Sequence, residues 1–228
     1  MSRNLFVTGT GTEIGKTYVA GLIVKKLHEA GLDVAYYKAA MSGNKRCADG
    51  TLIPGDALFV KEFAHLSQSL ESMCPYVYEH AVSPHLASRL EGHPVRMDVV
   101  EKSFQELSRK HDYVVVEGSG GITCPIGYDE ERIQLEDIIR QLDFPSVMVA
   151  DAGLGTINGV VLTHEYMKQK KLPLKGIIFN NFHAGDVMEE DNRHMCEEMT
   201  GLPVLACIAK EDKTIRGLEA EKLAALFD

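Results

Sequence analysis

Lys16 and Thr17 close the stretch VTGTGTEIGKT, residues 7–17, which runs from an apolar segment through a Gly/Thr-rich turn. Residues of these types at this spacing suit phosphate binding: backbone N–H groups and the dipole of a following helix hold phosphate oxygens, the lysine reaches the outer phosphates, and the threonine hydroxyl is offered to Mg²⁺. The spacing departs from the usual GxxxxGK[ST] pattern, which needs glycine at position 10, because Thr10 stands there between Gly9 and Gly11. A loop that wraps polyphosphate normally avoids carboxylates, yet Glu13 lies three residues before Lys16. At the edge of a site rich in cations, such a carboxylate can fix the lysines or the loop through charge-assisted hydrogen bonds.

A phosphate site needs a carboxylate at the end of another strand, and HDYVVVEGSGG supplies one. Val114, Val115 and Val116 run into Glu117, followed by Gly118, Gly120 and Gly121. An acid between an apolar strand and a glycine cluster is read as a Mg²⁺ ligand in preference to a solvated strand end. Ser119 is not a nucleophile elbow, since G-x-S-x-G would need glycine at position 117. Lys38 ends a second apolar run and aims its ammonium at the same edge. Asp56, in IPGDAL, reads equally well as a helix N-cap.

The elements that must position these side chains alternate. Residues 5–8, 34–37, 113–116, 147–150, 177–180 and 204–208 read as strands, several apolar on consecutive residues as in a parallel sheet covered on both faces. Residues 16–30, 56–64, 84–90, 98–110, 135–142, 157–170, 187–199 and 215–227 read as helices, with Gly31 and Gly201 where C-caps belong. The alternation predicts one doubly wound α/β domain over residues 1–228. Residues 39–55 form the least regular stretch, too polar for the core, at the strand edge where such sheets bind ligands.

With 24 Lys+Arg against 33 Asp+Glu, the net charge of −9 argues against nucleic acid or an anionic membrane as partner and favours a small molecule. No apolar run is long enough to span a bilayer, and MSRNLFVTG moves straight into a strand, so a cytoplasmic location is expected. Five cysteines without a CxxC pair indicate neither a disulfide framework nor a zinc knuckle. The nine histidines include no HExxH.

Together VTGTGTEIGKT, YYKAAMSG, PGDAL, VSPHLAS, VEGSGG and GLGTINGVVLT carry a family resemblance: the chain resembles the dethiobiotin synthetases, which have the P-loop NTPase fold. The glycine-shifted loop with an internal Glu is itself a mark of that family. The resemblance implies an ATP- and Mg²⁺-dependent cyclo-ligase of biotin biosynthesis, taking 7,8-diaminononanoate, CO₂ and ATP to dethiobiotin through a carbamate and a carbamic-phosphoric anhydride. It implies Thr17, Asp56 and Glu117 as Mg²⁺ ligands, and Glu13, Ile14, Gly15, Lys16, Thr17 and Tyr18 around the phosphates. It further implies Gly118, Ser119, Gly120 and Asn180 at the nucleotide, and Thr12, Glu13, Lys16 and Lys38 in catalysis. Ser42 falls at the substrate. Thr156, Ile157 and Asn158 fall at its carboxylate tail, near the two-fold interface of a homodimer.

The chain departs from the family in two places. CIAKED has Ala209 where the family carries proline, and VMEEDNRHMCEEM, residues 187–199, lacks the partner-subunit tyrosine. The alternative is a switch ATPase of the partition and division-site type, acting with a macromolecular partner. Those ATPases begin their phosphate loop with an early lysine, which residues 8–12 lack.

Overall fold

The computed structural model describes residues 2–129 and 131–228. Along the chain run β1 (Arg3–Gly9), α1 (Lys16–Glu29), β2 (Val34–Tyr37), α2 (Gly55–Phe63), α3 (Pro84–Glu91), α4 (Met97–Ser108), β3 (Tyr113–Glu117), α5 (Leu135–Leu142), β4 (Ser146–Asp151), α6 (Thr156–Gln169), β5 (Leu174–Asn180), α7 (Val187–Thr200) and β6 (Val204–Ile208). The six strands form one sheet in the order β6-β5-β4-β1-β3-β2, parallel at every pairing.

Strand periodicity divides the core between the two faces. Leu5, Val7, Val115, Val147 and Val149 pack with Val19, Leu22, Ile23, Ala57 and Val60 of α1 and α2. Phe6, Val114 and Val116 pack with Val100, Phe104, Ile138 and Ile139 of α4 and α5 on the other face. Met148, Ala150 and Phe179 meet Val160 of α6. Because both faces are covered, neighbouring residues of one strand are buried on opposite sides, hence the consecutive apolar runs. Parallel pairing also brings the carboxyl ends of β1, β3 and β2 to one edge, where Val7 pairs with Glu117 and Tyr37 with Val116.

Two expectations need correction. The helix expected over residues 215–227 is confined to Ala220–Ala224 and a 3₁₀ turn at Ala225–Phe227. Gly217 has φ 74, and Ile215 and Leu218 reach the core from irregular backbone that the Ile215 carbonyl anchors by accepting from Lys26 Nζ at 2.7 Å. Residues 39–55 are also less irregular and less exposed than their polarity suggests. Ala40–Met41 pairs with Tyr76–Val77, Lys45–Arg46 with Leu52–Ile53, and Ala39, Ala40, Met41 and Asn44 are buried. Asn44 holds the segment by donating to the Met41 and Tyr78 carbonyls, each at 2.8 Å, and accepting from Gly55 N–H at 2.9 Å. Among the described residues no helix is long and apolar enough to cross a membrane.

Candidate active site

The turn between β1 and α1 ends on Gly15, which caps the helix in the left-handed region at φ 88. A side chain there would be strained and would collide with Asn180. The first N–H groups of α1 have no carbonyl partner within the helix and face the carboxyl edge of the sheet. Lys16 is buried and its Nζ donates to the Gly11 carbonyl at 2.5 Å, folding the side chain back over the loop. Burial pushes its ammonium down to about 8, with Glu117 opposing the fall and Lys38 adding to it.

Glu117 stands at the centre, 2 % exposed. Its Oε1 accepts from Thr17 Oγ1 at 2.8 Å and from Lys38 Nζ at 2.6 Å, while Oε2 accepts from the Tyr36 hydroxyl at 2.7 Å. Lys38 also donates to Asp56 Oδ2 at 2.6 Å, so one ammonium joins two acids from different elements. Burial alone would lower the Lys38 pKa, but Glu117 and Asp56 outweigh it and hold it well above the ordinary lysine value. Burial, reinforced by Glu117, likewise raises the Tyr36 phenol far above its usual range. Asp56 is not the N-cap of α2: Pro54 holds that position, no side chain caps the helix, and the carboxylate turns to Lys38 instead.

Above this cluster opens a cleft of about 480 Å³ lined by Thr12, Glu13, Lys38, Ser42, Asp56, Ser119, Gly120 and Cys124, with residues 81–84 opposite. Ser42 donates to the Val82 carbonyl at 2.5 Å and Ser119 to the Ala40 carbonyl at 2.7 Å, each pinning a wall. A Cβ on Gly118 would stand 2.8 Å from Leu135 and 3.0 Å from the buried Phe6 ring. Gly118→Ala should therefore cost about 1–3 kcal/mol through overpacking, read as a lower denaturation midpoint at unchanged slope; an unchanged midpoint would mean that Leu135 simply moves aside.

A second cleft, of about 370 Å³, lies beyond Glu13 and is lined by Gly15, Tyr18, Asn180, Asn181, Lys210, Glu211 and Lys213. Asn180 Nδ2 donates to the Ile14 carbonyl at 3.1 Å, and its buried Oδ1 has no partner among the described residues. The Tyr18 hydroxyl donates to the Asp212 carbonyl, tying α1 to the segment after β6.

Two groups of expected site residues stand apart from this cluster. Glu13, at φ 60 on the ridge between the clefts, makes no ion pair with either lysine among the described residues. Lys16 is satisfied by the loop and Lys38 by the two acids, so the expected role for Glu13 in fixing the lysines is not what the geometry displays. Thr156, Ile157 and Asn158 open α6 behind Gly155 at φ 91, and none of them lines either cleft within one chain. Their link to the turn between β1 and α1 is indirect, through Gly159, where a Cβ would stand 3.3 Å from Thr10.

Comparison with known proteins decides among families that share such a cluster. The ATP-dependent dethiobiotin synthetase BioD of Brachyspira hyodysenteriae is 46% identical over 229 residues, covering 100% of both chains. That of Clostridium botulinum (strain Loch Maree / Type A3) is 42% identical over 228 residues, covering 100% of this chain and 99% of its own. This chain belongs to the dethiobiotin synthetase family. The model of the AAA domain family matches residues 3–216. Among solved structures, the MinC:MinD cell division protein complex of Aquifex aeolicus matches with TM-score 0.57 at 12% identity, covering 99% of this chain and 94% of that one. A ParA family ATPase from Chlorobium tepidum TLS matches with TM-score 0.56 at 14% identity, covering 93% and 86%. At these identities the likeness is one of fold, so the switch-ATPase reading gains nothing more from it, whereas dethiobiotin synthetases match along the whole chain.

Sequence reasoning missed Tyr36, Cys124 and the lysines of the second cleft. Tyr36 was findable, since it lies two residues before Lys38 and so shares its side of an extended strand. Cys124 and Lys210 reach the clefts only through the course of their loops.

Proposed function

We propose that this protein closes the ureido ring of dethiobiotin from 7,8-diaminononanoate, CO₂ and ATP, with the whole chain acting as one ATP-binding unit. The observation that carries the reading is the meeting of Thr17, Lys38, Asp56 and Glu117 at the floor of a cleft beside the phosphate loop. In-line phosphoryl transfer asks a protein mainly for alignment and charge stabilisation, and this cluster offers both.

The polyphosphate of ATP lies on the amides that open α1, with Lys16 on its outer oxygens and the base in the second cleft beside Asn180. One substrate amine adds to CO₂ and loses a proton, giving a carbamate. A carbamate oxygen attacks the γ-phosphorus and the bond to ADP breaks. The second amine then attacks the carbamoyl carbon, the ring closes, and phosphate leaves as that nitrogen loses its proton. Lys38 stabilises the negative charge on carbamate and transferring phosphoryl group, while Ser42 shapes the wall around the diamine.

The donor set of Thr17 hydroxyl with the Asp56 and Glu117 carboxylates consists of hard oxygens and fits Mg²⁺. Bound by these residues, Mg²⁺ supplies charge neutralisation on the phosphates. The five free thiols suit a reducing compartment, and we assign the protein to the cytoplasm. Incubation with diaminononanoate, bicarbonate and MgATP tests the reading: dethiobiotin detected by mass supports it, and ATP hydrolysis indifferent to the diamine refutes it.

A homodimer completes the substrate site in this reading. Leu154, Leu162 and Val187, on and just before α6 and α7, are 91, 63 and 85 % exposed, and such apolar exposure suits burial by a second copy. The amide of Ile157 and the side chain of Asn158 then hold the substrate carboxylate, joined by the Thr156 amide once it leaves the Gly153 carbonyl, to which it donates at 3.3 Å. Asn158→Ala should raise KM for the diamine about ten- to a hundredfold, the worth of a hydrogen bond to a charged group, and leave KM for ATP unchanged. Equal rises in both, or a monomer by sedimentation, would remove these residues from the substrate.

A further inference from the structure

We propose that Tyr36 is a positioning residue for Glu117: its hydroxyl fixes one carboxylate oxygen, aims the other at Thr17 and Lys38, and so sets the affinity of the site for its divalent cation. The proposal rests on the reading of Glu117 as a metal ligand.

The register of the sheet brings the pair together. Tyr36 pairs with Val115 on the adjacent parallel strand. Positions 36 and 38 of one run and 115 and 117 of the other therefore point to the α1 side, where Tyr36 packs among Leu5, Val7 and Val19. Tyr36 is fully buried. A buried hydroxyl is costly unless bonded, and phenylalanine would fill the same space, so core packing does not account for the oxygen. Its bond, at 2.7 Å, goes to Glu117 Oε2. With that oxygen occupied, the carboxylate cannot turn without leaving a donor stranded, and Oε1 stays on Thr17 and Lys38.

Tyr37 gives the internal comparison. It is equally buried but faces the other side, where its hydroxyl donates to the Val100 carbonyl at 3.0 Å and pairs with Ser103 Oγ at 2.7 Å, a helix-to-sheet contact without link to the acid. The tyrosine that meets Glu117 is also held from outside the sheet. β2 is an edge strand, and the Gln68 side chain takes the place of a further strand, accepting from Tyr36 N–H and donating to its carbonyl, each at 2.9 Å. Such two-sided anchoring keeps a supporting group within the few tenths of an ångström that a ligand position requires.

The test is Mn²⁺ binding in the presence of ADP, followed by the EPR signal of the free ion, on wild type, Tyr36→Phe, Tyr37→Phe and Glu117→Gln. Tyr36→Phe should weaken Mn²⁺ binding about tenfold, the lower end for a hydrogen bond to a charged group. It should raise the Mg²⁺ needed for half-maximal rate by the same factor, with KM for the diamine unchanged. Tyr37→Phe should lose thermal stability and keep wild-type Mn²⁺ affinity. Wild-type affinity in Tyr36→Phe, or an equal loss in Tyr37→Phe, overturns the proposal. If Glu117→Gln binds Mn²⁺ as wild type does, the ligand reading itself fails; if Glu117→Gln is impaired and Tyr36→Phe is not, the positioning role alone fails. Should Tyr36→Phe not fold, Gln68→Ala frees the strand beneath the hydroxyl without touching it. A smaller weakening of Mn²⁺ binding is then expected, and unchanged binding counts against the proposal.

Discussion

Lys38→Met is expected to lower kcat at least about a hundredfold at saturating ATP and diamine, since loss of one well-placed cation from phosphoryl transfer is worth on the order of 3 kcal/mol or more. The same change should also destabilise the fold. Lys38 Nζ lies 2.6 Å from both Asp56 and Glu117, and Glu117 is enclosed in the core. Removing one partner of a buried pair costs about 3–5 kcal/mol because the other charge is left uncompensated. Asp56 is partly open to solvent, with 38% side-chain exposure, so the lower end applies. For a chain of this size about 3 kcal/mol corresponds to a fall in Tm of about 6–12 °C. Circular dichroism melts give the second number, and kcat must be taken below the lowered transition. A variant that melts early yet turns over at the wild-type rate would leave Lys38 a structural clamp with no part in the chemistry.

Glu117→Gln should raise the Mg²⁺ concentration for half-maximal activity about ten- to a hundredfold, with the sheet intact. The amide keeps the volume and removes the charge. It also breaks the donor count: Thr17, Lys38 and Tyr36 all donate to the carboxylate, and an amide offers one acceptor oxygen and an NH₂ that must face at least one of those donors. Each lost hydrogen bond to a charged group is worth about 1.5–3 kcal/mol. The measurement is a Mg²⁺ titration of rate at fixed ATP; a curve superimposable on wild type removes Glu117 from the metal site.

Much of the fold was legible because its signals are local. Apolar β-branched runs ending in Lys38 and Glu117, a glycine-rich turn before Lys16, and glycines after helices depend on a few neighbouring residues, and all six strands lie where the runs are. The helix expected over residues 215–227 failed for a tertiary reason: Ile215 and Leu218 are buried in the core from irregular backbone that turns at Gly217 in the left-handed region. Of the two parts open to Glu13, holding the lysines or holding the loop, the first is taken by other groups, since Lys38 pairs with Asp56 and Glu117 and Lys16 with the Gly11 carbonyl.

By itself the sequence determined the doubly wound α/β class, the carboxyl edge as the place of chemistry, and the family, through motifs whose residue types and order survive without coordinates. Tertiary structure alone decided which groups touch. Asp56 serves Lys38 and does not cap its helix, Tyr36 reaches Glu117 and Tyr37 does not, and residues 156–158 stay outside both clefts of a single chain. The physical reason is that strand and helix formation follows local backbone preference and burial, whereas contact between two side chains far apart in sequence depends on strand register. In a sheet a shift of one residue sends every side chain to the opposite face.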